Sequence, residues 1–468
     1  MAMSKLRKSC TRFSENKKGA VAIIVAFSII PIILMSGMAA DYTRALAVKA
    51  RLDSASDAAA LAAINSAQAS IIGSALTNPN PTAIAAGIAQ GQKAFGAQAS
   101  LDGQYTTAAP TVNVTISGAT ITGTVNYTAS TATYFGRLAS VTSFPISGSS
   151  TAFLTMGKYL DFYLLLDVSG SMGLPSTNNG QTALAAINPD NKSSYPGGCV
   201  FACHFSETNM CPGSSANGVC QGFNLARTNS IQLRADAVGS AVVAMIQSAQ
   251  STATIPNQYR MGIYPFIDHA NTLTPLSSNL TTVSNAIGYN AATNSTTLGN
   301  LLDTGNSTLK LTSSDTYPIG SGGTHFENIF SDISSLIPSV GTGGSSTNTQ
   351  PFVFLVTDGA DNNQTYTTSN NSWTGSQPQL MNPTNCKTLT NRGITLAVLY
   401  IPYAPIQNPT SFAGNEDYNV NAIVPSIPST LQQCASPGFF WTANSPADIT
   451  SAMQAMFAQS LQSAMISK

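Results

Sequence analysis

Residues 19–40, GAVAIIVAFSIIPIILMSGMAA, hold no charged side chain. At 1.5 Å per helical residue this run crosses a ~30 Å hydrocarbon core. Inside lipid every backbone N–H and C=O must be satisfied within the segment, so the run has to be helical, and Pro31 is tolerated there as a kink. Just before it stand Lys5, Arg7, Lys8, Arg12, Lys17 and Lys18 against Glu15, a balance of +5, and Asp41 follows it directly. The positive-inside rule places residues 1–18 in the cytoplasm and the bulk of the chain across the membrane. A buried core helix rarely keeps so long a run free of charge. A cleaved secretory signal would be shorter and would end at an Ala-x-Ala site, which no residue pattern here supplies before the next helix. The chain is neutral overall, so the part after residue 18 carries −5. It has no broad basic surface, which argues against nucleic acid as a partner.

Beyond Asp41 the composition changes while the helix continues. Tyr42-Thr43-Arg44-Ala45-Leu46-Ala47-Val48-Lys49-Ala50-Arg51-Leu52-Asp53 has no breaker, and an Ala-rich run follows to about Ala67. The charges place this half in water, so residues 41–77 are expected to extend the membrane helix outside the bilayer. Asn16-Lys17-Lys18-Gly19-Ala20-Val21-Ala22-Ile23-Ile24, Ala40-Asp41-Tyr42-Thr43-Arg44 and Leu52-Asp53-Ser54-Ala55-Ser56-Asp57-Ala58-Ala59-Ala60-Leu61 resemble the N-terminal region of TadG-like proteins of the Flp (tight adherence, Tad) pilus-assembly system. The resemblance implies a single-pass protein of a bacterial inner membrane, its bulk periplasmic or extracellular. Its partners would be pilus-assembly or envelope proteins. The kinship with pilin-like N-termini suggests peptidase cleavage after Gly19. The acidic residue expected five positions into such a mature chain is Ile24 here, so the anchor is expected to stay uncleaved.

Residues 78–157 open on Asn78-Pro79-Asn80-Pro81, a linker signal, followed by a short helix over about Ala83 to Phe95. From Thr111 to Ile116 and from Ala119 to Thr128 apolar and polar residues alternate about Ser117-Gly118, the mark of a hairpin. Tyr134-Phe135-Gly136-Arg137-Leu138 and Ser143-Phe144-Pro145-Ile146 again resemble TadG-like proteins. The segment reads as a small β-rich, pseudopilin-like subdomain packed on the extended helix, with no candidate chemistry.

From Lys158 the pattern becomes one of buried strands and amphipathic helices. Strands are expected at Tyr159–Leu166, Arg260–Ile267, Pro351–Val356, Ile394–Tyr400 and Gly438–Trp441. Helices are expected at Leu225–Gln250, Phe326–Ile337, Thr384–Asn391, Ile427–Ala435 and Pro446–Met465, the last with Ser445 as N-cap. Such alternation makes an α/β domain, a mostly parallel sheet with helices on both faces. Ligands bind such sheets beyond the carboxyl ends of the strands, at the switch point.

Three polar clusters fall at such ends. Tyr163-Leu164-Leu165-Leu166 runs into Asp167-Val168-Ser169-Gly170-Ser171, where an extended loop would turn Asp167, Ser169 and Ser171 to one side. Gly320-Ser321-Gly322-Gly323 presents Thr324 ahead of a helix, and Phe354-Leu355-Val356-Thr357 ends in Asp358-Gly359. Carboxylates and hydroxyls form an all-oxygen set suited to Mg²⁺, with Mn²⁺ or Ca²⁺ as alternatives, rather than to Zn²⁺. The order D-x-S-x-S, T, D-G over 158–468 resembles the metal-ion-dependent adhesion site (MIDAS) of von Willebrand factor A (vWA) domains, which have a Rossmann-like fold. The resemblance implies that Asp167, Ser169, Ser171 and Thr324 supply metal ligands, with Asp358 acting directly or through water. It also implies an open coordination position for a carboxylate of a protein partner. His325 is expected to pack or hydrogen-bond at the rim.

In compact vWA domains a helix follows the first loop closely, whereas here the Gly-, Asn- and Pro-rich insert 173–224 intervenes, carrying Cys199, Cys203, Cys211 and Cys220. Of the seven cysteines, Cys10 stands on the cytoplasmic side and six stand outside, an even number in an oxidising compartment. The four of the insert are expected to pair among themselves, and Cys386 with Cys434. Zinc on Cys199, Cys203, His204 and Cys211 is the rival for the insert. With only His204, His269 and His325, no His-Glu-x-x-His, no Gly-x-Ser-x-Gly and no phosphate loop, a hydrolase is disfavoured, although a metal cluster can hydrolyse phosphate in principle. The leading reading is a non-enzymatic, membrane-anchored binding protein of pilus assembly. A surface adhesin for host or matrix ligands is the alternative.

Overall fold

The computed structural model describes residues 17–72, 81–99, 105–117, 120–190, 195–202, 221–303, 306–362, 365–367, 372–374, 378–403, 405, 409 and 412–466. Its contacts divide the chain into two compact units, Met1–Met156 and Gly157–Lys468.

The first unit is organised by α1 (Lys17–Ile72), 56 residues that include Pro31. Its first half is long and apolar enough to cross a membrane, and residues 21–35 are almost wholly exposed within the unit. The second half changes character. Ala45, Val48, Leu52, Ala55, Ala59, Ala63, Ala67 and Ile71 recur every three or four residues and are buried. That spacing makes one apolar stripe, which the rest of the unit covers. The first cover is α2 (Pro81–Ala99), which approaches closely because its contact face is glycine. A Cβ on Gly87 would meet the Ala63 carbonyl at 2.8 Å, and one on Gly91 would meet Val112 at 2.9 Å. Gly87→Leu must therefore displace backbone, at a cost of about 1–3 kcal/mol by overpacking. The expected readout is faster amide exchange in residues 55–67 and 83–95, and unchanged exchange there would refute the packing.

The second cover is a four-stranded antiparallel sheet of β1 (Tyr105–Thr107), β2 (Thr111–Ser117), β3 (Thr120–Ala132) and β4 (Ser143–Thr155). Strand β3 pairs with β4 on one side and with β1 and β2 on the other. The hairpin read from Thr111 onward is present in register, Val112 opposite Val125 and Ile116 opposite Ile121, while residues 118 and 119 lie outside the described residues. Val112, Val114, Ile116, Ile121, Val125 and Tyr127 face inward. Strand β4 lies along α1 and β3 over its full length; Ser150 bonds Ser56 (Oγ to Oγ 2.6 Å) and Asp57 (2.5 Å).

The second unit runs β5 (Leu160–Asp167), α3 (Asn178–Ile187), α4 (Gly222–Thr228), α5 (Arg234–Thr252), β6 (Tyr259–Phe266), β7 (Thr274–Ser277), α6 (Leu280–Ile287), α7 (Phe326–Leu336), β8 (Gln350–Thr357), β9 (Thr395–Tyr400), α8 (Phe412–Ile423), α9 (Ile427–Cys434), β10 (Phe440–Thr442) and α10 (Pro446–Ile466), with shorter turns between them. The six principal strands form one sheet in the order β10-β9-β8-β5-β6-β7, parallel except for the edge strand β7. In chain order this is 3-2-1-4-5-6, the doubly wound arrangement. Burial on both faces explains the uninterrupted apolar strands. Phe162, Leu164 and Leu166 pack in one layer with α5, α6 and α10, and Tyr163 and Leu165 in the other with α7 and α9. Phe162 stacks on Phe352 at a ring separation of 5.6 Å and meets Phe457 in a tilted pair at 5.2 Å. This is a Rossmann-like α/β fold, and helices do cover both faces.

Several elements depart from the sequence reading. The helix expected over Leu225–Gln250 is broken into α4 and α5, because Ser230 takes a positive φ of 53° and Leu233 is extended. The insert holds a helix, α3, capped by Thr177 and burying Leu184. Strand β7 and helices α6 and α8 were not anticipated. Cys386 and Cys434 form the expected disulfide, with a Cα–Cα separation of 5.6 Å. Of the insert cysteines, Cys203, Cys211 and Cys220 lie outside the described residues, as does His204, so their pairing and the zinc alternative fall there too.

Candidate metal centre

The direction in which strands are added reverses between the parallel β5 and β8: after β5 the sheet grows through β6 to β7, and after β8 it grows through β9 to β10. Their register brings Leu166 opposite Val356. The two strands therefore end side by side, one in Asp167 and the other in Thr357-Asp358. The Thr357 hydroxyl donates to Asp167 Oδ2 at 2.5 Å, and the Ser169 N–H donates to Oδ1 at 2.9 Å. Asp167, Ser169 and Asp358 are all buried.

The loop after Asp167 is not extended throughout. Ser169 is, but Gly170–Gly173 forms a 3₁₀ turn. Ser169 and Ser171 still meet, Oγ to Oγ at 3.2 Å. Thr324 is brought to the same edge by two anchors. Its N–H donates to the Asn362 carbonyl and its carbonyl accepts from the Asn362 N–H, at 2.6 and 3.0 Å, tying it to the loop beyond Asp358. The His325 N–H donates to the Ile267 carbonyl, just past β6. The carboxyl ends of β5, β6 and β8 thus carry all five sequence-identified residues on adjoining loops.

Asp358 is fully buried, and neither of its oxygens has a well-formed hydrogen bond. Its charge is met by Arg234, whose Nη1 stands 3.5 Å from Oδ2. Burial raises the Asp358 carboxyl above its ordinary range, while Arg234 and the Ser171 hydroxyl pull it the other way. Burial and the neighbouring Asp358 push Asp167 up to about 7. Two buried carboxylates beside one another, one of them unsatisfied, are an arrangement that a cation relieves. Among the described residues no three His, Cys, Asp or Glu side chains form a metal cluster, so a cation here would depend on hydroxyls beside the two carboxylates. That donor set fits a hard divalent ion, and the buried Asp358 carboxylate, without a well-formed hydrogen bond, is the observation that favours one.

Two residues outside the motif build this site. Arg234 opens α5 and also donates to the Pro402 carbonyl at 3.0 Å. Asp303 accepts from the Ser321 hydroxyl at 2.7 Å and the Gly322 N–H at 2.9 Å, and its own N–H donates to the Val168 carbonyl at 3.0 Å. It joins the Asp167 loop to the Thr324 loop without being in either. Neither residue has a sequence signal: Arg234 is one cation in an amphipathic helix and Asp303 lies in a motif-free loop. Asp303→Ala is expected to weaken cation binding 10- to 100-fold, roughly the effect of losing an orienting neighbour, while every ligand stays in place. Calorimetric titration with Mn²⁺ checks this, and unaltered affinity would remove Asp303 from the account.

His325 sits at the rim, Nε2 3.2 Å from Asp268 and Nδ1 3.1 Å from Glu327. Burial pushes both Asp268 and Asp361 up to about 7. Gly359, with φ of +79°, lets α9 close over the loop: a Cβ there would strike Ile427 and Leu431 at 2.6 Å. The insert leaves this edge and returns to it. The Ala202 N–H donates to the Gly173 carbonyl at 3.1 Å, and Asp190 accepts from the Gln221 and Gly222 N–H groups at 2.7–2.9 Å.

Residues 19–70 match the family model described as putative Flp pilus-assembly TadE/G-like. No curated protein sequence matches the chain. Three similar solved structures are SpaC, a pilus adhesin of Lactobacillus rhamnosus GG, proximal thread matrix protein 1 of the mussel byssus with a zinc-occupied MIDAS motif, and the vWF domain of the type V pili tip protein Mfa5 of Porphyromonas gingivalis. SpaC is 13% identical, with 77% of this chain and 35% of that chain covered and a TM-score of 0.33. The mussel protein is 13% identical, with 65% and 49% covered and a TM-score of 0.33. The Mfa5 domain is 12% identical, with 67% and 99% covered and a TM-score of 0.33. The chain thus spans between a third and a half of the first two. At these identities and scores the likenesses carry over neither ligand nor partner. The family match lies wholly on α1, and residues 19–70 are similar to the TadE/G-like Flp pilus-assembly family.

Proposed function

We propose that this chain is a non-enzymatic, membrane-anchored component of a Flp/Tad-type pilus-assembly system. In this reading, α1 holds the chain in the inner membrane with its N-terminus cytoplasmic. The vWA unit binds Mg²⁺, or Mn²⁺ or Ca²⁺ in its place, through Asp167, Ser169, Ser171, Thr324 and Asp358. The observation that carries the reading is the pair of buried carboxylates at the sheet's switch point, with Asp358 making no well-formed hydrogen bond and its charge met only by Arg234 at 3.5 Å. An ion held by two carboxylates and neutral hydroxyls keeps affinity for one more anionic oxygen. Arg234 adds a positive charge beside Asp358, so the loaded centre favours an anionic group, and a carboxylate on a protein partner fits it. Pull-down of the full chain from cells making the pilus, with and without a chelator, tests the role. Capture of pilus or envelope proteins that is lost with chelator and restored by Mg²⁺ is expected. Capture indifferent to chelation would make any bound ion structural.

A further inference from the structure

The β3–β4 connection carries four exposed side chains in five residues, Tyr134, Phe135, Arg137 and Leu138, with Tyr134 69% and Leu138 71% exposed. Aromatic and aliphatic side chains are not usually displayed together to water, and here the backbone holds them in place. Asp41, a buried residue of α1, accepts from the Tyr134, Phe135 and Gly136 N–H groups at 2.8–3.1 Å. Phe135 lies on Gly37, where a Cβ would come within 2.3 Å of its ring. The Arg44 guanidinium covers the Tyr134 ring at 4.6 Å. The loop is therefore pinned at the level of Gly37 to Arg44, where the charge-free run of α1 gives way to charged residues. Its apolar side chains continue the exposed Ile30 and Ile33, which lie seven and four residues before Gly37 on the same face of α1.

We infer that Tyr134–Leu138 is an interfacial wedge, seated in the headgroup region of the bilayer that α1 crosses. This rests on residues 19–40 being a membrane span. Aromatic side chains favour that depth, and an Arg among them reaches the phosphates. The wedge fixes both the depth and the rotation of α1, because Asp41 makes loop and helix one body. Lipid is the occupant chosen because the patch is continuous with the apolar run.

The test uses the full chain in phosphatidylcholine–phosphatidylglycerol vesicles. Leu138→Trp is compared with Phe153→Trp, an equally exposed position on β4 roughly 30 Å from Phe144 at the near end of that strand. Wild-type emission from Trp373 and Trp441 is subtracted. With acyl chains brominated near the headgroup, the added emission of Leu138→Trp is expected to fall roughly twofold or more, and that of Phe153→Trp to stay constant. Quenching of Leu138→Trp no greater than that of Phe153→Trp, in protein that resists an alkaline wash, would overturn the wedge while leaving the span intact. Protection of Leu138→Trp from both brominated lipid and aqueous iodide would assign the patch to a protein instead. Release of the chain by the wash would fail the span, and the wedge with it.

Discussion

Asp167→Asn is expected to make the metal-free chain more stable by roughly 0.5–2 kcal/mol, as when a strained functional site is relaxed. The same change should lower affinity for Mg²⁺ or Mn²⁺ at least ~100-fold, because a hard cation loses one of two charged donors. The opposite signs follow from the geometry. In the metal-free chain Asp167 and Asp358 are neighbouring buried carboxylates, and Asp358 retains the Arg234 ion pair when Asp167 is neutralised. An Asn at 167 still accepts from the Ser169 N–H, and its amide can donate to the Thr357 hydroxyl, which accepts as well as donates. Urea unfolding in a chelator and calorimetric titration with Mn²⁺ read the two effects separately. A variant that binds metal normally, or that loses stability by several kcal/mol, would mean that Asp167 is a structural carboxylate.

Removal of the Cys386–Cys434 bridge, whose two cysteines are buried in the core, should have a large effect on stability. It closes a sequence separation of 48 residues, which the chain-entropy model values at about 4 kcal/mol. At about 2–4 °C per kcal/mol, the midpoint of the second unit should fall by on the order of 10 °C in the Cys386→Ala/Cys434→Ala chain. The effect reaches the metal centre as well. Cys434 ends α9, and Ile427 and Leu431 of that helix rest on Gly359, next to Asp358. Loosening α9 should therefore weaken cation binding in parallel. A thermal scan with and without Mn²⁺ checks both, and an unshifted midpoint would show that the bridge only joins parts already fixed by packing.

The sheet was legible because strands buried on both faces are written as unbroken apolar runs. Tyr163-Leu164-Leu165-Leu166 and Phe352-Val353-Phe354-Leu355-Val356 could hardly be anything else. The carboxylates at their ends were legible because apolar runs that stop abruptly mark strand ends. Strand β4 was not, since Ser147-Gly148-Ser149-Ser150-Thr151 has no apolar alternation and gains its place from pairing along β3. The break between α4 and α5 was hidden because Thr228-Asn229-Ser230 lacks Gly and Pro, and Ser230 adopts positive φ without them. Arg234 and Asp303 were invisible for a different reason. Their roles come from distance, not from neighbours in the chain: Asp303 meets residues 168, 321 and 322 only after the sheet has folded.

The most direct test of the central claim is crystallographic. Crystals of the full chain soaked in Mn²⁺ should give one strong anomalous peak at the carboxyl ends of β5 and β8, ringed by oxygens of Asp167, Ser169, Ser171, Thr324 and Asp358. A peak elsewhere, or Arg234 still closing on Asp358 with no ion at saturating Mn²⁺, would contradict it.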